Sequence, residues 1–412
     1  MIDIKFLREN PEKVQNAAKA KKIDINVKSI IEVDEDYRML LSEVQKLREE
    51  KNKASKEKNI EEGKRLKEEL NKKEENLKES QNALDLLLSQ IPNVARSDVK
   101  VGKDESENEV IKKFREPTKF DFTPKDHLSI GEDLDIIDVK RAAKISGARF
   151  AYLKNDAVLL EFALVQLAFE TLIKEGFNLI VPPVLINREI MQGLGYMENG
   201  GEQDMFQLGN DNLFLVGTAE HAIAPMHKDE VFQKKNLPLR YVGFSSAFRR
   251  EAGSYGKDTR GILRVHQFDK VEMVSFVAEE DDDKEHEYLL SIEEKLFQLL
   301  DIPYHVVKMC TGDLGFPVAR KYDIEAWMPG QNTYREVTSV STVTDFQSRR
   351  LNIKYQDGNE KKYAHILNGT AFAIGRTIIA LLENYQQKNG SVIVPDVLKK
   401  YIGKEKINKK IM

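Results

Sequence analysis

Between Ile30 and Ile91 the chain carries two apolar series with steps of three and four, a spacing that leaves few folds open to its N-terminal part. The first runs Ile30, Val33, Tyr37, Leu40, Val44, Leu47 and, after one lysine, Ala54. The second runs Leu66, Leu70, Leu77, Leu84, Leu87 and Ile91, skipping Lys73 and Ser80. Such steps form the seam of a coiled coil. The polar stretch KNIEEGK, with Gly63, separates the two, and Pro92 closes the second. Two helices of similar length with a short connection predict an antiparallel hairpin over about 28–91. A hairpin cannot hold a large core, so it is expected to project as an arm. Around its turn, Lys51, Lys53, Lys56, Lys58, Lys64, Arg65 and Lys67 outnumber Glu57, Glu61 and Glu62, a local charge of +4. Two readings stay open here: an ordinary solvated helix surface, or a patch that contacts nucleic-acid phosphates.

The remainder of the chain has its own bounds. A length of 412 residues predicts two or three domains. Net charge is only -4, so a nucleic-acid partner must be met by a local patch. The single cysteine, Cys310, excludes a disulfide framework or a cysteine-rich zinc site within the chain and fits a reducing compartment. No basic-then-apolar leader opens the chain, and no run approaches the roughly 18 apolar residues of a membrane span. A cytoplasmic enzyme without a membrane partner is the expectation. Residues 97–130 are polar, with Gly102, Pro117 and Pro124, and predict a linker with short strands. The expected division is therefore 1–96, 97–130 and 131–412.

Within the body, helices are predicted over 156–176, 279–300 and 371–385, and strands over 177–185, 334–343 and 363–367. Pro182 and Pro183 place the first of these strands at an edge or interface. Strands and helices do not alternate as in a doubly wound sheet, and no GxxxxGK[ST] loop appears. The expected class is α+β, with an antiparallel sheet flanked by helices. A nucleotide would have to be held by arginines and an aromatic ring.

The stretch from Arg240 to Val274 supplies both. It reads as two strands joined by a glycine-bearing loop. In its second half Leu263, Val265, Val271 and Met273 share one parity, while Arg264, His266, Phe268, Lys270 and Glu272 share the other. Alternation predicts one core face and one polar face. A polar face on an antiparallel sheet is often simply wet. Two guanidiniums (Arg249 and Arg264), a ring and a carboxylate also suit a polyanion, a flat base and an ammonium group.

The chain resembles the seryl-tRNA synthetases of the bacterial and organellar type, within the class II aminoacyl-tRNA synthetases. The resemblance covers nearly its whole length. It rests on GFNLIVPPVL, LVGTAEHAIAP, AFRREAGSYGKDTRGILRVHQFDKVEM, CTGDLGFPVARKYDIEAWMPGQ, YREVTSVSTVTDFQSRR and HILNGTAFAIGRTIIALLENYQ. It implies a homodimer whose coiled-coil arm grips tRNA(Ser), with tRNA(Sec) a second candidate, the basic residues of the turn contacting its backbone. It further implies that Thr218, Ala219 and Glu220 contact L-serine, and that Arg249 bridges the serine carboxylate and the α-phosphate of ATP. Glu251 would meet the adenine amino group, Phe268 would stack on the base, and Arg250 and Arg264 would lie with the nucleotide. Glu272 would take the serine ammonium, and Asn368 and Thr370 would flank the side chain. Glu336 and Ser339, in a segment with Val337 and Thr338, would bind ATP and Mg2+. Arg376 would neutralise the γ-phosphate. Arg249, Arg376 and Glu336 are thus the expected catalytic groups, and His221 and His266 are expected to be structural.

Val340 and Thr342 replace a small or thiol residue and an asparagine of many members, which predicts a reshaped pocket wall. Two other readings remain: a paralogue that loads an amino acid onto a non-tRNA acceptor, and an inactive coiled-coil scaffold. The intact heptads and basic turn oppose the first. The presence of Arg249, Glu251, Glu336 and Arg376 opposes the second.

Overall fold

The computed structural model describes residues 1–252 and 260–409. The joining loop expected between the strands of the Arg240–Val274 stretch falls partly on 253–259, outside the described residues. The chain divides into two compact units, Met1–Val94 and Ala95–Met412.

In the first unit, helices α1 (Val27–Lys56) and α2 (Ile60–Ser89) run antiparallel, each capped by an asparagine that accepts a backbone N–H. Asn26 caps the first and Asn59 the second. The predicted seam is the packed one. Ile30, Val44, Ala54, Leu66, Leu70, Leu84 and Ile91 are buried, and Val33, Tyr37, Leu40, Leu47, Leu77 and Leu87 are half-buried. The turn is tighter than the sequence suggests. It occupies residues 57–59, with Lys58 at φ +56°, and Gly63 lies inside the first turns of α2. Asp34, which the heptads leave out, is also buried. It receives a bidentate pair from Arg8 at 2.7 and 2.6 Å and a third contact from Arg38 at 3.2 Å. That geometry fastens the helix Ile4–Glu9 to α1.

The second unit is built on eight strands: β1 (Glu109–Phe114), β2 (Asn178–Ile180), β3 (Leu239–Phe248), β4 (Gln267–Val277), β5 (Tyr304–Lys308), β6 (Arg320–Met328), β7 (Thr333–Thr344) and β8 (His365–Ala373). Their order across the sheet is β1-β5-β6-β7-β8-β4-β3-β2, antiparallel throughout except β2 beside β3. Helices α3 (Asp156–Lys174), α4 (Asp282–Leu299) and α5 (Ile374–Asn384) contribute to one apolar core with this sheet. The α+β class stands. β1 lies within the stretch expected as a linker and pairs with β5.

Boundaries shift where local and tertiary signals compete. Residues 261–266 are turns rather than strand, so β4 starts at Gln267, four residues later than the alternation from Leu263 through Val265 suggests. Both side chains are nonetheless buried. The last helix starts at Ile374, because Ala371–Ala373 continue β8. Pro182 and Pro183 fall between β2 and the short strand Leu185–Asn187. Arg240 ties β3 to α4 through two 2.6 Å bonds to Glu285, which also accepts from Ser275 on β4 at 2.8 Å.

Candidate active site

Directly paired residues on neighbouring strands present their side chains to the same face. The register therefore defines a grid: Lys321 pairs with Ser341 and Ser341 with Asn368, Asp323 with Ser339, Glu325 with Glu336, and Thr370 with Glu272. These residues floor one side of the sheet. Val271, Met273 and Val340 point the other way, into the core. Against the polar face lies a cleft of about 440 Å³.

Glu220 reaches this cleft from a short helix packed close against β3. Gly243 on β3 faces the short helix Glu220–Ile223, and a Cβ there would lie 2.5 Å from Ile223 Cδ1. A side chain at this position would oblige the end of Ile223 to move. Thr218 Oγ1 accepts from the Glu220 N–H at 3.3 Å at the start of that helix, and the threonine lines the cleft. Glu220 is buried, and its carboxylate accepts from Tyr196 Oη at 2.9 and 3.1 Å and from Gln347 Nε2 at 3.0 Å. Burial raises its pKa, Gln347 and Tyr196 oppose the rise, and the nearby Glu272 adds to it. Glu272 Oε2 receives Lys270 Nζ at 2.7 Å and Thr370 Oγ1 at 3.0 Å.

The other end of the cleft is cationic and aromatic. Arg249 donates through Nε to Gly217 O at 3.1 Å and sits over the Phe268 ring at 5.3 Å. Arg264 approaches Glu251 at 3.5 Å, and Glu251 is fixed through its carbonyl by Arg149 at 2.9 Å. Arg376, in the first turn of α5, donates to the carbonyl of Glu336 at 3.1 Å and pairs with its carboxylate at 3.2 Å. Burial pulls the Glu336 carboxyl upward, but Arg376, Lys321 and Arg249 outweigh it and hold the group at about 2. An ionised carboxylate open to the cleft, with Ser339 beside it, is the donor set that Mg2+ takes when substrate phosphates supply its remaining oxygens. No group of three His, Cys, Asp or Glu able to hold a metal by itself occurs among the described residues.

Most residues singled out from the sequence line this one cleft: Thr218, Glu220, Arg249, Glu251, Arg264, Phe268, Glu272, Glu336, Val337, Thr338, Ser339, Asn368, Thr370 and Arg376. Two do not. Arg250 is exposed, with its guanidinium 5.9 Å from the Phe206 ring, and Ala219 is wholly buried beneath the cleft. The Thr338 hydroxyl turns to the far side, donating to Glu293 of α4 at 2.6 Å. Val340 and Thr342 share that far side. Val340 joins the core, and Thr342 donates to Asp282 at 2.7 Å, so neither reshapes the pocket wall. His221 accepts from the Gly217 N–H at 3.2 Å, and burial with Arg249 and Lys270 nearby lowers its pKa to about 3. His266 is bonded to the Arg249 carbonyl at 3.0 Å.

Comparison with known proteins agrees with this architecture. Residues 1–95 match the seryl-tRNA synthetase N-terminal domain, and 205–385 match the tRNA synthetase class II core domain (G, H, P, S and T). The serine–tRNA ligase of Dictyoglomus turgidum is 46% identical over 424 residues, covering 100% of both chains. The chain belongs to the seryl-tRNA synthetase family. Among solved structures, the seryl-tRNA synthetase of Pyrococcus horikoshii complexed with ATP superposes with a TM-score of 0.94 at 39% identity, covering 100% of both chains. The serine–tRNA ligase of Naegleria fowleri in complex with AMP gives 0.91 at 32%, covering 100% of this chain and 99% of that one.

Sequence reasoning assigned no role to three residues that shape this seryl-tRNA synthetase cleft: Tyr196, Lys270 and Gln347. Lys270 lay on the polar parity of its strand and was visible as a member of that face. Tyr196 and Gln347 left no local signal, since they meet Glu220 across 24 and 127 residues.

Proposed function

We propose that this cleft joins L-serine to ATP as seryl-adenylate and passes the seryl group to the 3'-terminal adenosine of tRNA(Ser). One observation carries the reading: a single sheet face holds an acid-lined recess (Thr218, Glu220, Glu272, Asn368, Thr370) beside a cationic, aromatic end (Arg249, Arg264, Phe268, Arg376). The serine carboxylate attacks the α-phosphorus in line, and pyrophosphate leaves. Both reactants are anions, so the main barrier is electrostatic, and guanidiniums fixed before the reaction lower it. Arg249 spans the two reactants, and Phe268 and Glu251 hold the base. Arg376 faces the leaving phosphates. Glu336 and Ser339 would hold Mg2+, which supplies charge neutralisation across the phosphates. No side chain has to shuttle a proton in this step, in keeping with a neutral, engaged His221 and a His266 tied to the backbone. The terminal ribose hydroxyl then attacks the activated carbonyl.

In this reading residues 1–96 form the tRNA-binding domain, 97–130 connect, and 131–412 catalyse. Lysines at the α1–α2 turn supply phosphate contacts to tRNA(Ser), and tRNA(Sec) is the second acceptor to assay. Homodimerisation is part of the same proposal. It is supported by an exposed apolar row on α3 and β2 (Leu159, Phe162, Ile173, Leu179) that continues to Val181. Sedimentation at twice the 47.3 kDa chain mass is the expected result. A cytoplasmic setting fits the one buried, reduced cysteine, and no described helix is long and apolar enough to cross a membrane.

The deciding experiment is amino-acid-dependent exchange of pyrophosphate into ATP, run with serine, threonine, alanine and cysteine. Serine should dominate. Exchange with none of them, by folded protein, would refute the reading.

A further inference from the structure

The two acids of the recess are held in different ways. Glu220 Oε1 takes bonds from both Tyr196 and Gln347, which fills its lone pairs, while Oε2 carries only the longer 3.1 Å share of the Tyr196 bond. Glu272 shows the same asymmetry: Lys270 and Thr370 both fall on Oε2, and Oε1 has no hydrogen-bond partner among the described residues. Each carboxylate therefore turns one satisfied oxygen to the protein and one acceptor to the cleft. A substrate with an ammonium group and a hydroxyl meets two acceptors.

What surrounds each acid separates their tasks. Glu220 is held by neutral donors, a phenol and an amide, so its charge is left for a cation from outside. Glu272 already has an ammonium, Lys270 Nζ, at 2.7 Å, and a second ammonium there would be repelled. A hydroxyl would not. We propose that Tyr196 and Gln347 are positioning residues that aim Glu220 at the substrate ammonium, and that Lys270 reserves Glu272 for the substrate hydroxyl. This deepens the serine-activating reading of the cleft and rests on it. It also moves the ammonium from Glu272, where the resemblance alone placed it.

Gln347 is suited to that role. It is fully buried at the start of the helix Phe346–Leu351, and its amide nitrogen donates to Glu220 at 3.0 Å and to Leu194 O at 3.3 Å. Both neighbours are acceptors only, so the amide cannot be reversed. Its oxygen is left buried without a hydrogen-bond partner among the described residues, a cost that a side chain present only for packing would not carry. Tyr196 approaches from another part of the chain, with its ring 4.7 Å from His221. Two separate segments thus fix one carboxylate.

Gln347→Met and Tyr196→Phe keep volume and remove one donor each. In pyrophosphate exchange, each should raise KM for serine by about ten-fold or more, as expected for a lost bond to a charged group. KM for alanine, which keeps the ammonium and lacks the hydroxyl, should rise in parallel. KM for ATP should stay put, and the serine-to-alanine ratio should hold. An unchanged serine KM overturns the proposal. So does a collapse of the serine-to-alanine ratio, which would give Glu220 the hydroxyl. A parallel rise in the ATP KM with a lowered melting temperature would mark a purely structural role and also overturn it. Should Gln347→Met fail to fold, Tyr196→Phe decides alone. Absence of exchange by the unsubstituted chain would instead remove the reading of the cleft beneath both.

Discussion

At the scale of single residues, the cleft is a set of charges that would repel or pair off wherever the backbone did not hold them apart. Arg376 illustrates it. Its guanidinium is shared between the carbonyl of Glu336 and the carboxylate of the same residue, so it stands ready before any nucleotide arrives. Arg376→Ala should cut serine-dependent exchange by a factor of about a hundred to a thousand, in the range for one lost transition-state donor. Circular dichroism and melting temperature should be nearly unchanged. Near-normal exchange would sink its phosphate role. Residues of this kind were legible in the sequence through the family motifs that carry them, and Arg264, Phe268 and Glu272 through strand parity as well. Tyr196 and Gln347 were not, because their importance exists only after folding brings remote segments to Glu220. Arg250 shares the motif of Arg249 but follows the end of β3, and its exposed side chain lies outside the cleft lining.

At the scale of elements, the body's framework was readable where a pattern ran long and blurred where it ended. The α1–α2 seam held nearly residue for residue, since a three-and-four repeat over two 30-residue helices leaves one packed face. The end of β8 was misjudged, because pairing of Phe372 with Val271 and of Ala373 with Lys270 on β4 carries the strand past the start of the helical spacing. The acidic start of α4 is a second case in which tertiary contacts decide. Asp282 is buried there, pairing with Arg96 at 2.8 Å and bonded to His365 and Thr342, each at 2.7 Å. Burial pushes its pKa up, but His365, Arg96 and Thr342 prevail and leave it well below the usual 3.8. A folded pKa below the unfolded one contributes stability that is complete above about pH 4 and fades as pH falls below it. Asp282→Asn should cost about 3 kcal/mol at pH 7, as for one partner lost from a buried pair. In denaturant titrations the gap to the unsubstituted protein should narrow only below about pH 4. A constant gap down to pH 2 would count against this account.

At the scale of the whole molecule, the proposed function gives the two units separate chemistry, and that division can be tested. Arg65 is engaged with Glu62 at 2.6 Å, which makes the lysines of the turn the better targets. Changing Lys51, Lys53 and Lys56 to glutamine should weaken tRNA binding and flatten its salt dependence, by about one unit of slope for each lysine that meets a phosphate. Exchange of pyrophosphate into ATP should be untouched. A fall in exchange would mean that the arm and the body do not divide the work. A comparable division runs through β7. Ser339 and Ser341 face the chemistry, while Thr338, Val340 and Thr342 lean on α4 and the interior. Composition on that inner side can drift over generations, or be rewritten at the bench, and its consequences register as heat tolerance. The side chains that face the nucleotide end of the cleft sit on the other side of the same ribbon, so durability and turnover in this molecule can be tuned independently.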